Sequence, residues 1–475
     1  MARQFEDKNK KLSNFSGKTA GPKREGRPTR GQEQERKTDF KATGKQGARL
    51  VGKKLANGSA SQFGKQTAKQ TANQIAKDAI PAQRNPVDYP GGISAGKKIC
   101  PNFGKCGGCQ LLSLPYEEQV KRKQKMVEEL LGPFCKVEPF IGMEDPKHYR
   151  NKVHAVFGLD RKGQPVSGVY KAYSHEIVPV DSCLLEDQRA DAIIVTIRGL
   201  LKSFKIKTYD EDSGYGLLRH VLIRTGHVSG QILVVLVTVS PVFPSKNNFV
   251  KALRERHPEI TTIVQNVNEK DTSMVLGTRD IVLYGRGYIE DTLCGKTFRI
   301  SPQSFYQINS VQTEKLYRRA VEYAGLTGKE TVLDAYCGIG TIGMIAAEKA
   351  GKVIGVELNP DAVKDAVRNA KANGVDNIVF YQQDAGKFMT QLAARGEKLD
   401  VLLMDPPRSG SSMEFLEAVG QLKPERIVYV SCEITTQVRD LKVLQQKGYK
   451  VVKGVGVDMF PHTNNCESVV MLTRK

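Results

Sequence analysis

The C-terminal part of this 475-residue chain predicts an α/β architecture built on a parallel sheet, and three observations carry the prediction. Short apolar runs alternate with helical segments from residue 331 onward. Gly338, Gly340 and Gly343 follow the first of those runs as G-x-G-x-x-G. Acidic residues recur at or just past the ends of four successive runs, at Asp334, Glu357, Asp384 and Asp405. Strands that alternate with helices bury both faces of a parallel sheet.

The elements follow in order. Residues 331–335 read as a strand, followed by the glycine loop and a helix to about residue 350. A second strand at 352–356 leads into a helix at 361–373, which Gly374 ends. Strands at 377–382, 400–404 and 426–430 follow, the last from the run Arg426-Ile-Val-Tyr-Val-Ser-Cys. A helix to about residue 447 and a strand pair at 450–457 and 468–473 close the chain.

Length predicts two or three domains, placed at residues 1–96, 97–300 and 301–475. Residues 1–99 hold 22 Lys and Arg against 8 Asp and Glu, two-thirds of the net charge of +21. That stretch is poor in large apolar residues and cannot bury enough surface to offset its ordering entropy, so residues 1–96 are expected to be a disordered basic arm. Such an arm suits contact with nucleic-acid phosphates. The longest apolar run, at 232–239, is far short of the roughly 20 residues that cross a bilayer. The N-terminus lacks the apolar stretch of a signal peptide, so a cytoplasmic protein with no membrane partner is expected.

Residues 149–300 read as an antiparallel α+β domain with strands at 153–157, 220–224, 232–239 and 262–267. Arg150, Lys152 and Arg219 are candidate phosphate contacts, and His220 and His227 read as ordinary strand-edge residues. The charged segment 116–131, ended by Gly132-Pro133, reads as an amphipathic helix on the surface.

Nine cysteines in a cytosolic chain point to metal binding or catalysis rather than disulfides. Cys100, Cys106 and Cys109 are spaced C-x5-C-x2-C, and Cys183 can supply a fourth thiolate. Four cysteines suit zinc or an iron–sulfur cluster, and spacing leaves both open.

The glycine loop by itself is shared by dinucleotide and S-adenosylmethionine sites. Asp334 ahead of the loop and the rigid turn Asp405-Pro406-Pro407-Arg408 favour the methyl donor. Glu357 would accept from ribose hydroxyls and Asp384 from the adenine amino group. Cys432 ends the strand at 426–430, at the sheet edge where open α/β sheets place chemistry. If the last strand runs antiparallel beside it, Glu467 starts at that same edge and meets Cys432, bringing a nucleophile to a base.

These residues resemble the RNA uracil-5 (5-methyluridine) methyltransferases over roughly residues 97–475. The likeness rests on Ser301-Pro302-Gln303-Ser304-Phe305-Tyr306-Gln307-Ile308-Asn309, Leu333-Asp334-Ala335-Tyr336-Cys337-Gly338, Asp405-Pro406-Pro407-Arg408, Tyr429-Val430-Ser431-Cys432 and Phe460-Pro461-His462-Thr463. It implies a class I, Rossmann-like S-adenosylmethionine-dependent catalytic domain beside an α+β RNA-binding domain with a four-cysteine cluster. It implies Cys432 as nucleophile, Glu467 as general base, and a donor site of Gln307, Tyr336, Thr341, Glu357, Asp384 and Asp405. It further implies a [4Fe–4S] cluster on Cys100, Cys106, Cys109 and Cys183, with zinc as the alternative. The RNA partner implied is 23S ribosomal RNA ahead of transfer RNA, because the family's bacterial transfer-RNA branch typically lacks the cysteines. The chain is expected to act as a monomer. Family members often carry a histidine two residues before the glutamate, and Asn465 stands there instead.

Overall fold

The computed structural model describes residues 90–171, 174–270 and 274–475. The expected basic arm lies outside them as far as residue 89, and from Ile93 the chain is already helical. The described residues group as one compact unit.

Helices α1 (Ile93–Ile99) and α2 (Tyr116–Leu131) precede a two-residue strand, β1 (Lys136–Val137). The central sheet has seven strands, β2 (Lys152–Leu159), β3 (Pro165–Tyr170), β4 (Ile177–Pro179), β5 (Leu218–Thr225), β6 (Ile232–Thr238), β7 (Ile260–Val267) and β8 (Arg279–Tyr284), in the order β4-β3-β2-β5-β6-β7-β8. Helix α3 (Gln188–Leu200) joins β4 to β5, and α4 (Lys246–Arg256) joins β6 to β7. The sheet was expected to be antiparallel throughout, but β6 and β7 pair in parallel. Parallel neighbours need a crossover, and α4 supplies it. The run Ile232-Leu-Val-Val-Leu-Val-Thr is buried at every position, as a strand covered on both faces must be. His220 is likewise buried inside the sheet, its ring 4.9 Å from that of His154, rather than at a strand edge.

A hairpin of β9 (Ile289–Leu293) and β10 (Lys296–Ile300) then leads into α5 (Ser310–Ala324), which Asn309 caps by accepting from the Gln312 N–H. The catalytic sheet follows as β11 (Thr331–Ala335), α6 (Thr341–Ala346), β12 (Lys352–Glu357), α7 (Pro360–Ala372), β13 (Ile378–Gln382), α8 (Ala385–Ala394), β14 (Val401–Met404), α9 (Met413–Leu422), β15 (Arg426–Ser431), α10 (Ile434–Gln446), β16 (Tyr449–Val457) and β17 (Glu467–Arg474). Its order is β1-β16-β17-β15-β14-β11-β12-β13, and only β17 runs against the rest. Alternate residues of a strand face opposite sides. Thus Val332 packs into the core over one face while Leu333 and Ala335 pack into the core over the other.

The segment from 97 to 300 contributes to both sheets. Lys136 and Val137 of β1 extend the catalytic sheet by pairing with Lys453 and Gly454 of β16. Helix α2 is amphipathic, as expected, but its buried stripe is partly polar. It buries Gln119, Lys123, Val127 and Leu131, one residue per turn, and Val127 and Leu131 join the core with Tyr449, Val451 and Leu472. No helix among the described residues is long and apolar enough to cross a membrane.

Candidate active site

Register brings the two central residues together. Ser431 of β15 faces Ser468 of the antiparallel β17, so Cys432 and Glu467 each stand one residue beyond that pair at the same sheet edge. Both line a cavity of about 520 Å³, within the usual range for a small-molecule site. Gln307, Tyr336, Thr341, Glu357 and Asp405 line it too. Phe305, 67 % exposed, and Phe460 add aromatic surface.

The glycine loop after β11 forms one wall. Gly338 has a φ of 56°, and a Cβ there would point into open space, so backbone alone faces the cavity. Its N–H donates to Glu357 Oε2 at 3.0 Å, while Asn359 N–H donates to Oε1 at 2.8 Å. Glu357 is thereby fixed at the cavity wall. Gly343 is required for a different reason. Its N–H donates to Asp334 Oδ2 at 2.8 Å, and a Cβ on it would sit 2.7 Å from that oxygen. Asp334, 1 % exposed, therefore braces the loop and itself lines the cavity. Tyr336 takes a left-handed φ of 65°, unusual for a bulky residue, and lines the site.

The electrostatics are dominated by acids. Glu467 is 2 % exposed, and its Oε2 is buried with no hydrogen-bond partner. Burial first, then the nearby Asp405, pushes its carboxyl well above the usual range, and Arg408 opposes the shift. Burial likewise raises Asp405 to about 7. The Cys432 thiol is pushed up to about 11, by burial and then by Glu467 and Asp405, again opposed by Arg408. An acid-lined cavity with one arginine and an orphaned carboxylate oxygen suits a donor that carries positive charge.

Two residues of the site escaped the sequence reading. Arg408 stands in its motif with no role legible from the sequence; it lines the cavity and bears on both Cys432 and Glu467. Tyr317 sits buried on α5 with its hydroxyl against Thr341 and Gln307, and no local pattern marked that helix as part of the site. Conversely, Asp384 does not line the cavity. It caps α8, accepting from the Lys387 N–H at 3.0 Å through Oδ1.

Cys100, Cys106, Cys109 and Cys183 occupy one neighbourhood, remote in sequence from Cys432. None of the nine cysteines is in a disulfide. The Cys109 thiol is raised to about 12 by burial and by Cys183, Cys106 and Cys100 together. Backbone N–H groups of Gly108 donate to Cys106, and those of Leu185 and Glu186 to Cys183, the kind of donor that steadies a thiolate. Among the described residues, however, no group of three His, Cys, Asp or Glu side chains converges as a single metal ion requires.

Of the candidate phosphate contacts, Lys152 is exposed at the start of β2 and Arg150 is half-buried beside Cys109 and Cys183. Arg219 is not available. It is 4 % exposed, pairs bidentately with Glu211 at 2.8 and 2.9 Å, and donates to the Lys270 carbonyl.

Comparison with known proteins places the chain in a family. Residues 115–475 match the tRNA (uracil-5-)-methyltransferase family. A protein of Halalkalibacterium halodurans described as an uncharacterized RNA methyltransferase is 43 % identical over 381 residues, 79 % of this chain and 83 % of that one. An uncharacterized RNA methyltransferase of Oceanobacillus iheyensis is 43 % identical over 376 residues, 78 % of this chain and 82 % of its own. Among solved structures, the Pyrococcus abyssi tRNA (uracil-54, C5)-methyltransferase in complex with S-adenosyl-L-homocysteine superposes with a TM-score of 0.65 at 27 % identity. The match covers 77 % of this chain and 86 % of that one.

Proposed function

This chain belongs to the tRNA (uracil-5-)-methyltransferase family and is an S-adenosylmethionine-dependent RNA methyltransferase, and from that premise we infer that Cys432 and Glu467 carry the chemistry at uracil C5. The observation that carries the inference is their convergence on one cavity, with a buried Glu467 oxygen left without a partner.

Uracil C5 is a weak nucleophile. Addition of the Cys432 thiolate to C6 moves the ring electrons toward C4–C5 as an enolate, so that C5 can form a bond to an electrophile. S-adenosylmethionine, when bound, supplies the methyl group for that bond. Glu467 then removes the C5 proton; the electron pair of the broken C–H bond restores the C5–C6 double bond, and the thiolate leaves C6. A carboxylate with a raised pKa is a better base for this step than an exposed one. Arg408 opposes the rise of the thiol and so favours its ionised form. The uracil must leave its stack to reach a cavity this enclosed, and Phe305 offers a surface for it to pass over. Gln307, Tyr336, Thr341, Glu357 and Asp405 form the donor site in this reading. Asp384, whose Oδ1 is occupied as a cap, would meet the adenine amino group through Oδ2.

Ribosomal RNA is the substrate class we favour, on the presence of the four cysteines. Transfer RNA is the second reading, supported by the substrate of the Pyrococcus abyssi enzyme. The four thiols share one neighbourhood, and the likeness to the family favours a [4Fe–4S] cluster there, with zinc as the alternative. Cys100, Cys106, Cys109 and Cys183 would hold it, as a structural tie needing no electron transfer.

The test uses RNA transcripts containing 5-fluorouridine, from which the base cannot remove a proton. Cys432→Ala forms no covalent complex with them. Glu467→Gln still attacks and methylates uridine RNA but releases it poorly, so a methylated protein–RNA adduct builds up. Normal turnover by Cys432→Ala would end this reading. An iron and sulfide assay with a visible absorption spectrum distinguishes cluster from zinc.

A further inference from the structure

Glu467 opens β17 and is paired on one side only. Its sheet partner is Val457 of β16, while the ladder to β15 stops at Ser431–Ser468. Its position therefore depends on the turn at 458–466 that leads into it. Helix α2 reaches that turn with two buried polar side chains one turn apart.

Lys123 Nζ donates to Asp458 Oδ1 at 2.7 Å and to the Phe460 carbonyl at 3.0 Å, with both charged side chains at most 2 % exposed. Tyr116, from the same helix, donates its hydroxyl to Asp458 Oδ2 at 2.9 Å. Gln119 Oε1 accepts from the His462 N–H at 3.1 Å, and its Nε2 lies 3.2 Å from His462 Nδ1. The His462 carbonyl accepts from the N–H groups of Gln110 and Leu111, directly after Cys109. His462 itself holds a left-handed φ of 67°, a conformation that persists only where its surroundings impose it. Phe460, gripped by Lys123, lines the same cavity as Glu467.

We propose that Gln119 and Lys123 are positioning residues for Glu467: helix α2 bolts the turn at 458–463 so that the carboxylate stands against the C5 proton. The proposal rests on Glu467 being the base. A buried lysine and glutamine on a helix are costly unless each hydrogen bond is made, and here the Lys123 bonds and the His462 contacts of Gln119 are directed at a single turn. The step affected is proton removal with cleavage of the S–C6 bond, not formation of that bond, because Cys432 is held between β15 and α10.

The experiment measures two rates in Gln119→Leu and Lys123→Met. One is covalent trapping on 5-fluorouridine-containing ribosomal and transfer RNA transcripts, which needs the thiol and the cofactor but not the base. The other is steady-state methylation of the matching uridine transcripts, with the fraction of enzyme held as methylated adduct. Trapping is expected to stay within about twofold of the parent. Turnover is expected to fall by up to about 10²-fold at unchanged KM, the scale of an ångström of misplacement, with methylated adduct accumulating. Thermal unfolding separates the two variants from a loss of folding, which would depress both rates alike. Parallel losses in trapping and turnover, or unchanged turnover in both variants, would overturn the proposal. Glu467→Gln run beside them tells the two ideas apart. If it accumulates adduct and the helix variants do not, positioning alone fails; if it does not, the base assignment fails first.

Discussion

The molecule carries two sulfur sites, and they differ in their company. Cys432 is a thiol among carboxylates, with Asp405 and Glu467 raising it and Arg408 opposing them. Cys109 sits among thiols, raised by Cys183, Cys106 and Cys100. Burial lifts both, but what relieves the strain differs. In the proposed reading, a cationic ligand and a guanidinium would serve the first, and a multinuclear metal centre the second. The same element, sulfur, is read as nucleophile or ligand from its neighbours.

Exchanging the two roles should fail in both directions. Cys432→Ser is expected to reduce trapping on 5-fluorouridine RNA to background while leaving the iron content unchanged. Cys109→Ser is expected to strip iron and the visible absorption while Cys432 still forms the adduct, more slowly. Iron analysis and denaturing gels on both variants would check this. Next in size, Arg408→Met removes the cation set against the thiol. Adduct formation should slow by about tenfold at neutral pH, and its pH profile should move to the alkaline side. Rates measured from about pH 6 to about pH 9 would show the shift, and an unmoved profile would strip Arg408 of this role.

The smallest effect concerns stability. Asp405 is raised by burial from 3.8 to about 7. A carboxyl with a higher pKa in the folded state binds more protons there, so its contribution to stability is greatest below about 4 and is lost as pH climbs through about 7. Asp405→Asn should therefore raise the melting temperature at about pH 8 and leave it unchanged near pH 4, while donor binding is lost. Calorimetry at both values checks the sign.

The strands of the catalytic sheet were legible because their runs are short, apolar and punctuated, as in 331–335 and 426–430, where prediction and structure share their starts. Arg219 was misjudged because a polar side chain at a promising address can already be spent, here on Glu211. Asp384 likewise commits one carboxylate oxygen to a helix cap. The amphipathic character of helix α2 was legible, but not the partners of its buried polar residues, because Lys123 and Gln119 meet Asp458 and His462, 335 and 343 residues away.

By itself, the sequence determined the alternation of strand and helix, the glycine loop, the cysteine spacing and the thiol at the end of a buried strand. Those are local properties, set by periodicity, conformational freedom and intrinsic reactivity. Only the tertiary structure decided which acids face the cavity, which arginine bears on the thiol, and which distant helix grips the turn before Glu467. Burial and pairing are properties of what packs against a residue, and no stretch of chain carries its own neighbours.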